Sequence, residues 1–251
     1  MSTTQSTGPA YPPRPAAVPI RLVCLDMAGT TVADGGTVLA AFAGALDALG
    51  IDDAARRADM TAYVVATMGE SKITVFRALL DGDEERAQAG NAAFEAAYAT
   101  RIAEARPLPG VPEFFAQLRD LGLKIALTTG FSRTTADALI DRLDWWPLID
   151  LSLAPQDVGG RGRPHPDLVL AAADRLSGAG DPIAPAAVAV AGDTAGDVRS
   201  GLAAGAGLVA GVLTGAHGRQ DFEDAGATCV LDDVTQLITS IHRHHPGNNR
   251  L

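Results

Sequence analysis

The chain is short of cysteine, of aromatic residues, of clustered positive charge and of long apolar runs. Its two cysteines, Cys24 and Cys229, fit neither a disulfide framework nor a metal-binding spacing. Cys24 lies inside an apolar run, which reads as a buried thiol rather than a nucleophile. No apolar stretch reaches the roughly 20 residues that cross a bilayer, and the N-terminus lacks a signal peptide's apolar core. The expected compartment is the cytoplasm. Formal net charge is -10 with no basic run, which argues against nucleic acid and anionic membranes as partners. An anionic substrate then needs a local site, a metal ion with a few placed cations, to overcome the global field.

What the chain does have is core-forming material. Apolar residues make up 47% of its 251 residues, enough for one large α/β domain or one carrying a smaller insert. Residues 1–19 are rich in Ser, Thr, Pro and Ala without periodicity and read as a disordered tail. The run Ile20 to Leu25 then reads as a buried strand. It stops at Asp26, and Gly29, Thr30 and Thr31 follow. A carboxylate at the carboxyl end of a buried strand sits where open α/β sheets place ligands. On this stretch alone, an Asp that merely opens a turn is an equal reading.

From Val38 to about Arg106 the pattern is helical. Helices are expected over Val38 to Leu49, Ala54 to Ala66, Ser71 to Leu80 and Glu84 to Ala105. After Pro107-Leu108-Pro109-Gly110 strands and helices alternate. Strands are expected at Leu123 to Gly130, Leu148 to Leu153, Val188 to Ala191, Leu208 to Leu213 and Thr228 to Leu231. Helices lie between them, with Ser132 as the N-cap of one, and Val234 to His242 closes the series. This rhythm implies a three-layer α/β sandwich around a mainly parallel sheet, interrupted by an all-helical insert. The expected division is 20–33 with 107–251 as the core and 34–106 as the insert. His244 and His245 read as solvated side chains at a polar terminus.

The strand Val188 to Ala191 runs into Gly192-Asp193-Thr194-Ala195-Gly196-Asp197. Strands of a parallel sheet end at one edge, so Asp26, Asp193 and Asp197 are expected to converge. Three close carboxylates repel unless a cation sits among them. Oxygen-only donors favour a hard ion, and Mg²⁺ suits a site that takes phosphate. Thr129 and Gly130, at the end of another strand, offer a hydroxyl and backbone N–H groups to an oxyanion. Arg163 in Gly162-Arg163-Pro164 offers a fixed cation.

Asp26-x-x-Gly-Thr, a strand-terminal Thr129, the Gly-Arg-Pro loop and Gly-Asp-x-x-x-Asp, in that order, resemble the four motifs of the haloacid dehalogenase superfamily. The resemblance spans residues 20 to about 240, and the helical insert corresponds to that family's cap domain. It implies that Asp26 attacks phosphorus to form an aspartyl-phosphate. It implies Mg²⁺ held by Asp26, the Ala28 carbonyl and Asp193, with Asp197 in support. Thr129 and Gly130 would hold phosphoryl oxygens, and Arg163 would balance the charge.

The common phosphatases of that superfamily carry a second Asp two residues after the nucleophile, as the proton donor to the leaving group. Here that position is Ala28. Asp-x-Ala-Gly-Thr resembles the phosphonatases (phosphonoacetaldehyde hydrolases), in which a cap lysine forms a Schiff base and a carbon–phosphorus bond breaks. Met68-Gly69-Glu70-Ser71-Lys72 is similar to that family's Met-Gly-x-x-Lys segment. It implies Lys72 as the imine-forming residue, with Met68 and Gly69 against the substrate. The chain departs from the pattern at Val75, where a His is expected, and at Phe131, where a Tyr is expected. Two further readings of Lys72 stay open: a cation that only binds substrate, and a solvated first residue of a helix. A phosphomonoesterase of the phosphoglycolate-phosphatase kind, a metal-free dehalogenase and a catalytically inert binding module are the competing functions. The expected ligand is a small phosphorylated or phosphonate metabolite. A homodimer is open.

Overall fold

The computed structural model describes residues 18–244. Most of the expected tail, and His245, lie outside the described residues. Six strands form one fully parallel sheet: β1 (Leu22–Leu25), β2 (Lys124–Thr128), β3 (Leu151–Leu153), β4 (Val188–Gly192), β5 (Leu208–Val212) and β6 (Cys229–Leu231). Their order is β3-β2-β1-β4-β5-β6, which puts β1 inside the sheet, flanked by β2 and β4.

Alternation along β1 splits the core into two layers. Val23 and Leu25 join an apolar cluster with α5 (Val111–Asp120), α6 (Arg133–Leu143) and α10 (Leu237–His244). Leu22 and Cys24 join another with α7 (Asp167–Arg175) and Ala204 of α8 (Ala195–Ala204). Cys24 is fully buried, and burial pushes its thiol up to about 12, which leaves it inert at neutral pH.

Between β1 and α5 the chain forms four helices: α1 (Thr37–Ala48), α2 (Ala54–Ala66), α3 (Lys72–Leu79) and α4 (Glu84–Ala99). The segment leaves and rejoins the sheet layer through two adjacent strands of chain. Ala33 N–H donates to Arg106 O, and Leu108 N–H to Thr31 O. Helices α1 and α4 pack through Phe42 and Phe94, whose ring centroids are 4.7 Å apart. Both rings belong to the same apolar cluster as Val23 and Leu25, so the insert is continuous with one face of the sheet.

Two expectations about elements need correction, and one helix was not expected. The helix predicted from Glu84 to Ala105 stops at Ala99 and continues as a 3₁₀ turn over Ile102–Glu104. Thr100 turns its hydroxyl back onto Ala97 O at 2.8 Å, a local bond that competes with helix continuation. The strand predicted from Leu148 pairs only over Leu151–Leu153, because Leu148 N–H closes a turn onto Trp145 O. A helix with no apolar period, α9 (Arg219–Ala225), escaped the sequence reading. Only Phe222 of its seven residues is buried, and its start is capped by Asp221 on Gly218 N–H rather than marked by periodicity.

No helix among the described residues is long and apolar enough to cross a membrane.

Candidate active site

Asp26, Thr129 and Asp193 follow three adjacent strands, β1, β2 and β4, at their carboxyl ends. The turn after β1 is tight. The N–H groups of Thr30, Thr31 and Val32 all point to Met27 O, and Thr31 Oγ1 donates to Asp26 O at 2.8 Å. Gly29 adopts φ 87°, and a Cβ there would stand 2.5 Å from Asp193 Oδ2. Only glycine meets both conditions, so this turn brings the β1 end against the β4 end.

Asp193 is held from two sides. Thr30 Oγ1 donates to its Oδ1 at 3.2 Å and Ala216 N–H to its Oδ2 at 2.8 Å. Burial pushes its carboxyl up to about 6, with Asp197 adding to the shift. Burial likewise holds the Asp26 carboxyl well above the usual aspartate range, Arg163 working against that and Asp197 and Asp193 with it.

The cation expected among three carboxylates is, between two of them, a side chain. Arg163 is 4% exposed. Its Nη1 lies 2.8 Å from Asp26 Oδ1 and its Nε 2.5 Å from Asp197 Oδ1. Its Nη2 donates to Thr128 O and Thr128 Oγ1. Asp197 spends its other oxygen on Thr194, whose N–H and hydroxyl both donate to Oδ2, so the start of α8 is capped. Asp197 therefore serves Arg163 and a helix end rather than facing an ion. Among the described residues no group of three or more His, Cys, Asp or Glu side chains is arranged to hold a metal. Asp26, Ala28 and Asp193 line the cavity. Two dry carboxylates and a carbonyl are a hard oxygen set that fits one Mg²⁺ and leaves coordination positions for water and phosphate.

The β2 end offers less than expected. Thr129 N–H is spent on Leu153 O, and Phe131 N–H donates to Thr129 Oγ1 at 3.1 Å. The Thr129 hydroxyl proton and the Gly130 N–H are what this end can turn toward an oxyanion.

The cavity above these groups holds about 330 Å³. Met68, Gly69 and Lys72 from the insert line it, together with Thr129, Gly130 and Phe131. Lys72 is 5% exposed, which removes its reading as a solvated helix start. Its Nζ donates to Glu70 O at 3.3 Å and lies 5.5 Å from the Phe131 ring, 5.9 Å from Phe42 and 6.0 Å from Phe94. Ring faces favour the ammonium by about 0.5–2 kcal/mol. Burial wins nonetheless, and brings Lys72 down to about 8 even with Asp26 pulling the other way.

Insert and sheet layer meet without slack. Arg163 Nη1 also reaches Gly69 O at 3.3 Å. A Cβ on Gly130 would stand 2.5 Å from both Gly69 O and Glu70 O. Gly130→Ala is therefore expected to push the Gly69–Glu70 segment off the site. Turnover should fall about 10²-fold and the melting temperature should fall with it, as steady-state kinetics and thermal unfolding would show.

Sequence reasoning missed Asp34, Phe42, Phe94 and His217. Asp34 caps α1 through Gly36 N–H and Val38 N–H and lines the cavity. His217 accepts from Ala195 N–H at 2.9 Å through Nδ1, so its Nε2 carries the proton that faces Val65 O at 3.3 Å. The two phenylalanines were legible as an apolar helix face, but their place beside Lys72 exists only once the helices pack.

A family model for haloacid dehalogenase-like hydrolases matches residues 20–205. The chain is 28% identical over 226 residues to the probable phosphatase IndB of Dickeya dadantii, covering 88% of this chain and 93% of that protein. A hydrolase from Pseudomonas syringae superposes with TM-score 0.75 at 26% identity, over 89% of this chain and 98% of that one. A phosphonoacetaldehyde hydrolase-like protein from Oleispira antarctica superposes with TM-score 0.75 at 24% identity, over 96% and 97%, a likeness of fold. The matched span carries every strand-end group described above, from Asp26 to Asp197, and the chain belongs to the haloacid dehalogenase-like hydrolases.

Proposed function

We propose that this hydrolase cleaves a small phosphonate that bears an aldehyde or ketone next to the carbon–phosphorus bond. One observation carries the reading: Ala28 has no proton to give a leaving group, and the group that shares Asp26's cavity is a buried lysine brought down to about 8. A neutral amine attacks a carbonyl, and loss of water leaves an imine at Lys72 Nζ. Asp26 then forms an oxygen–phosphorus bond as the carbon–phosphorus bond breaks. The electron pair passes into the imine, protonated at nitrogen, and leaves a neutral enamine, which later takes a proton at carbon. Water hydrolyses the aspartyl-phosphate and the imine. The Mg²⁺ that Asp26, the Ala28 carbonyl and Asp193 would hold supplies neutralising charge for two anions that must meet. Arg163 keeps Asp26 aimed, and Thr129 with Gly130 N–H steadies the phosphoryl oxygens.

Borohydride added with a keto- or aldehyde-phosphonate is expected to fix the organic part onto Lys72, and Lys72→Arg to abolish the label. The label should form faster as pH rises toward about 8, because the attacking form is the deprotonated one. Absence of label with every carbonyl phosphonate would remove the imine step.

A second reading has its own support. Val75 and Phe131 stand where the phosphonatase pattern has proton-handling residues, both are buried, and one relative is a probable phosphatase. Here Lys72 stays an ammonium that binds a phosphate ester. A panel of phosphonates and phosphate esters, with and without Mg²⁺, separates the two. Fast Mg²⁺-dependent ester hydrolysis without borohydride labelling favours the second. Turnover that survives EDTA would defeat both.

A further inference from the structure

Glu95 lies on α4, one residue from Phe94, and its carboxylate crosses from the insert to the sheet layer. Ser132 Oγ donates to its Oε2 at 2.5 Å, and Thr135 Oγ1 donates to the same oxygen. Ser132 is the N-cap of α6 and follows Phe131 directly. The bond therefore joins the chain neighbours of two of the three rings that face Lys72: Phe94 from the insert and Phe131 from the β2 end. Tyr98, one turn along α4, fills the space between them, 4.6 Å from Phe131 and 6.0 Å from Phe94 between ring centroids. The negative charge also meets the N-terminus of an 11-residue helix, where it is favoured.

We propose that Glu95 is a positioning residue, the latch that holds the helical insert against the start of α6 and so sets the aromatic walls around Lys72. The latch is releasable. Oε1 of Glu95 is buried without a hydrogen-bond partner among the described residues, a cost that closure imposes and that opening to water removes. Two hydroxyl donors on one oxygen supply the opposing attraction. Other hydrogen bonds between insert and sheet layer, Arg163 to Gly69 O, His217 to Val65 O and Arg142 to Ala103 O, involve none of the three rings around Lys72. The inference concerns where Lys72 stands, and rests on the proposed reaction only for its consequence to turnover.

The test reads Lys72 without any substrate. The full chain is pulsed with acetic anhydride at fixed pH, and acetylation of Lys72 is measured by peptide mass spectrometry against the exposed Lys124 as internal standard. Glu95→Ala is expected to raise relative Lys72 acetylation about tenfold, the factor expected on losing hydrogen bonds to a charged group. It should also speed amide hydrogen exchange in α4 and at the start of α6. Ser132→Ala with Thr135→Val, which leaves the carboxylate in place and removes its donors, should reproduce the effect. An unchanged Lys72 ratio in a Glu95→Ala protein that circular dichroism shows folded overturns the proposal. If Glu95→Ala does not fold, the same ratio in the Ser132→Ala/Thr135→Val protein decides it. Because labelling needs no phosphonate, failure of the latch and failure of the imine reading give different results.

Discussion

Asp26→Asn is expected to lower turnover by at least about 10⁴-fold, on any substrate the enzyme accepts, while the protein stays folded. Removing the attacking group from a unit that acts together costs orders of magnitude more than removing a binding contact. The shape is kept, and Arg163 retains Asp197 and the Thr128 oxygens as partners. Stability should not fall in parallel. Burial holds the Asp26 carboxyl well above its ordinary range, because keeping its charge out of water costs stability that Arg163 only partly returns. The melting temperature of Asp26→Asn should therefore equal or exceed that of the natural chain near pH 7. A variant that kept a tenth of the turnover would show that Asp26 is not the nucleophile. One that lost turnover only by unfolding would make it structural.

Arg163→Met is the second large effect, and it falls on the fold as well as the reaction. The guanidinium separates two buried carboxylates and ties the ends of β1, β2 and α8 together. Taking it away leaves both carboxylates dry and unpaired, which costs about 3–5 kcal/mol. For a domain of this size that is a fall in melting temperature on the order of 10 °C. The sign of the pH dependence follows. An aspartate whose folded pKa lies above its unfolded value, near 4, holds more protons when folded, so stability drops as pH rises through that interval. Without Arg163 the folded value of Asp26 moves further up and the interval widens. Arg163→Met should thus recover part of its lost stability as pH falls from 7 toward 5. A melting temperature independent of pH over that range would mean that the two acids are not unpaired in the variant.

Much of this site was legible as residue order. Asp26, Thr129 and Asp193 each stand one residue beyond a buried strand, and parallel strands share a carboxyl edge, so their meeting followed from strand assignment alone. Ser132 was readable as a cap because its hydroxyl precedes an amphipathic run, and it does accept from Thr135 N–H. Helix ends were less so: nothing periodic marks α9, and the stop after Ala99 depends on a single hydroxyl choosing a backbone carbonyl over water.

What the chain determined by itself is the set of strands, the helical insert between the first two, and the types of group at the sheet edge, because those depend on local period and on short spacings. What only the tertiary structure decided is which charge neutralises which, and how dry each is. Arg163 rather than an ion stands between Asp26 and Asp197, and Lys72 lies enclosed by rings from α1, α4 and the β2 end. Desolvation and pairing depend on atoms far apart in sequence that come within a few ångströms only after the core closes, so no local pattern of residues encodes them.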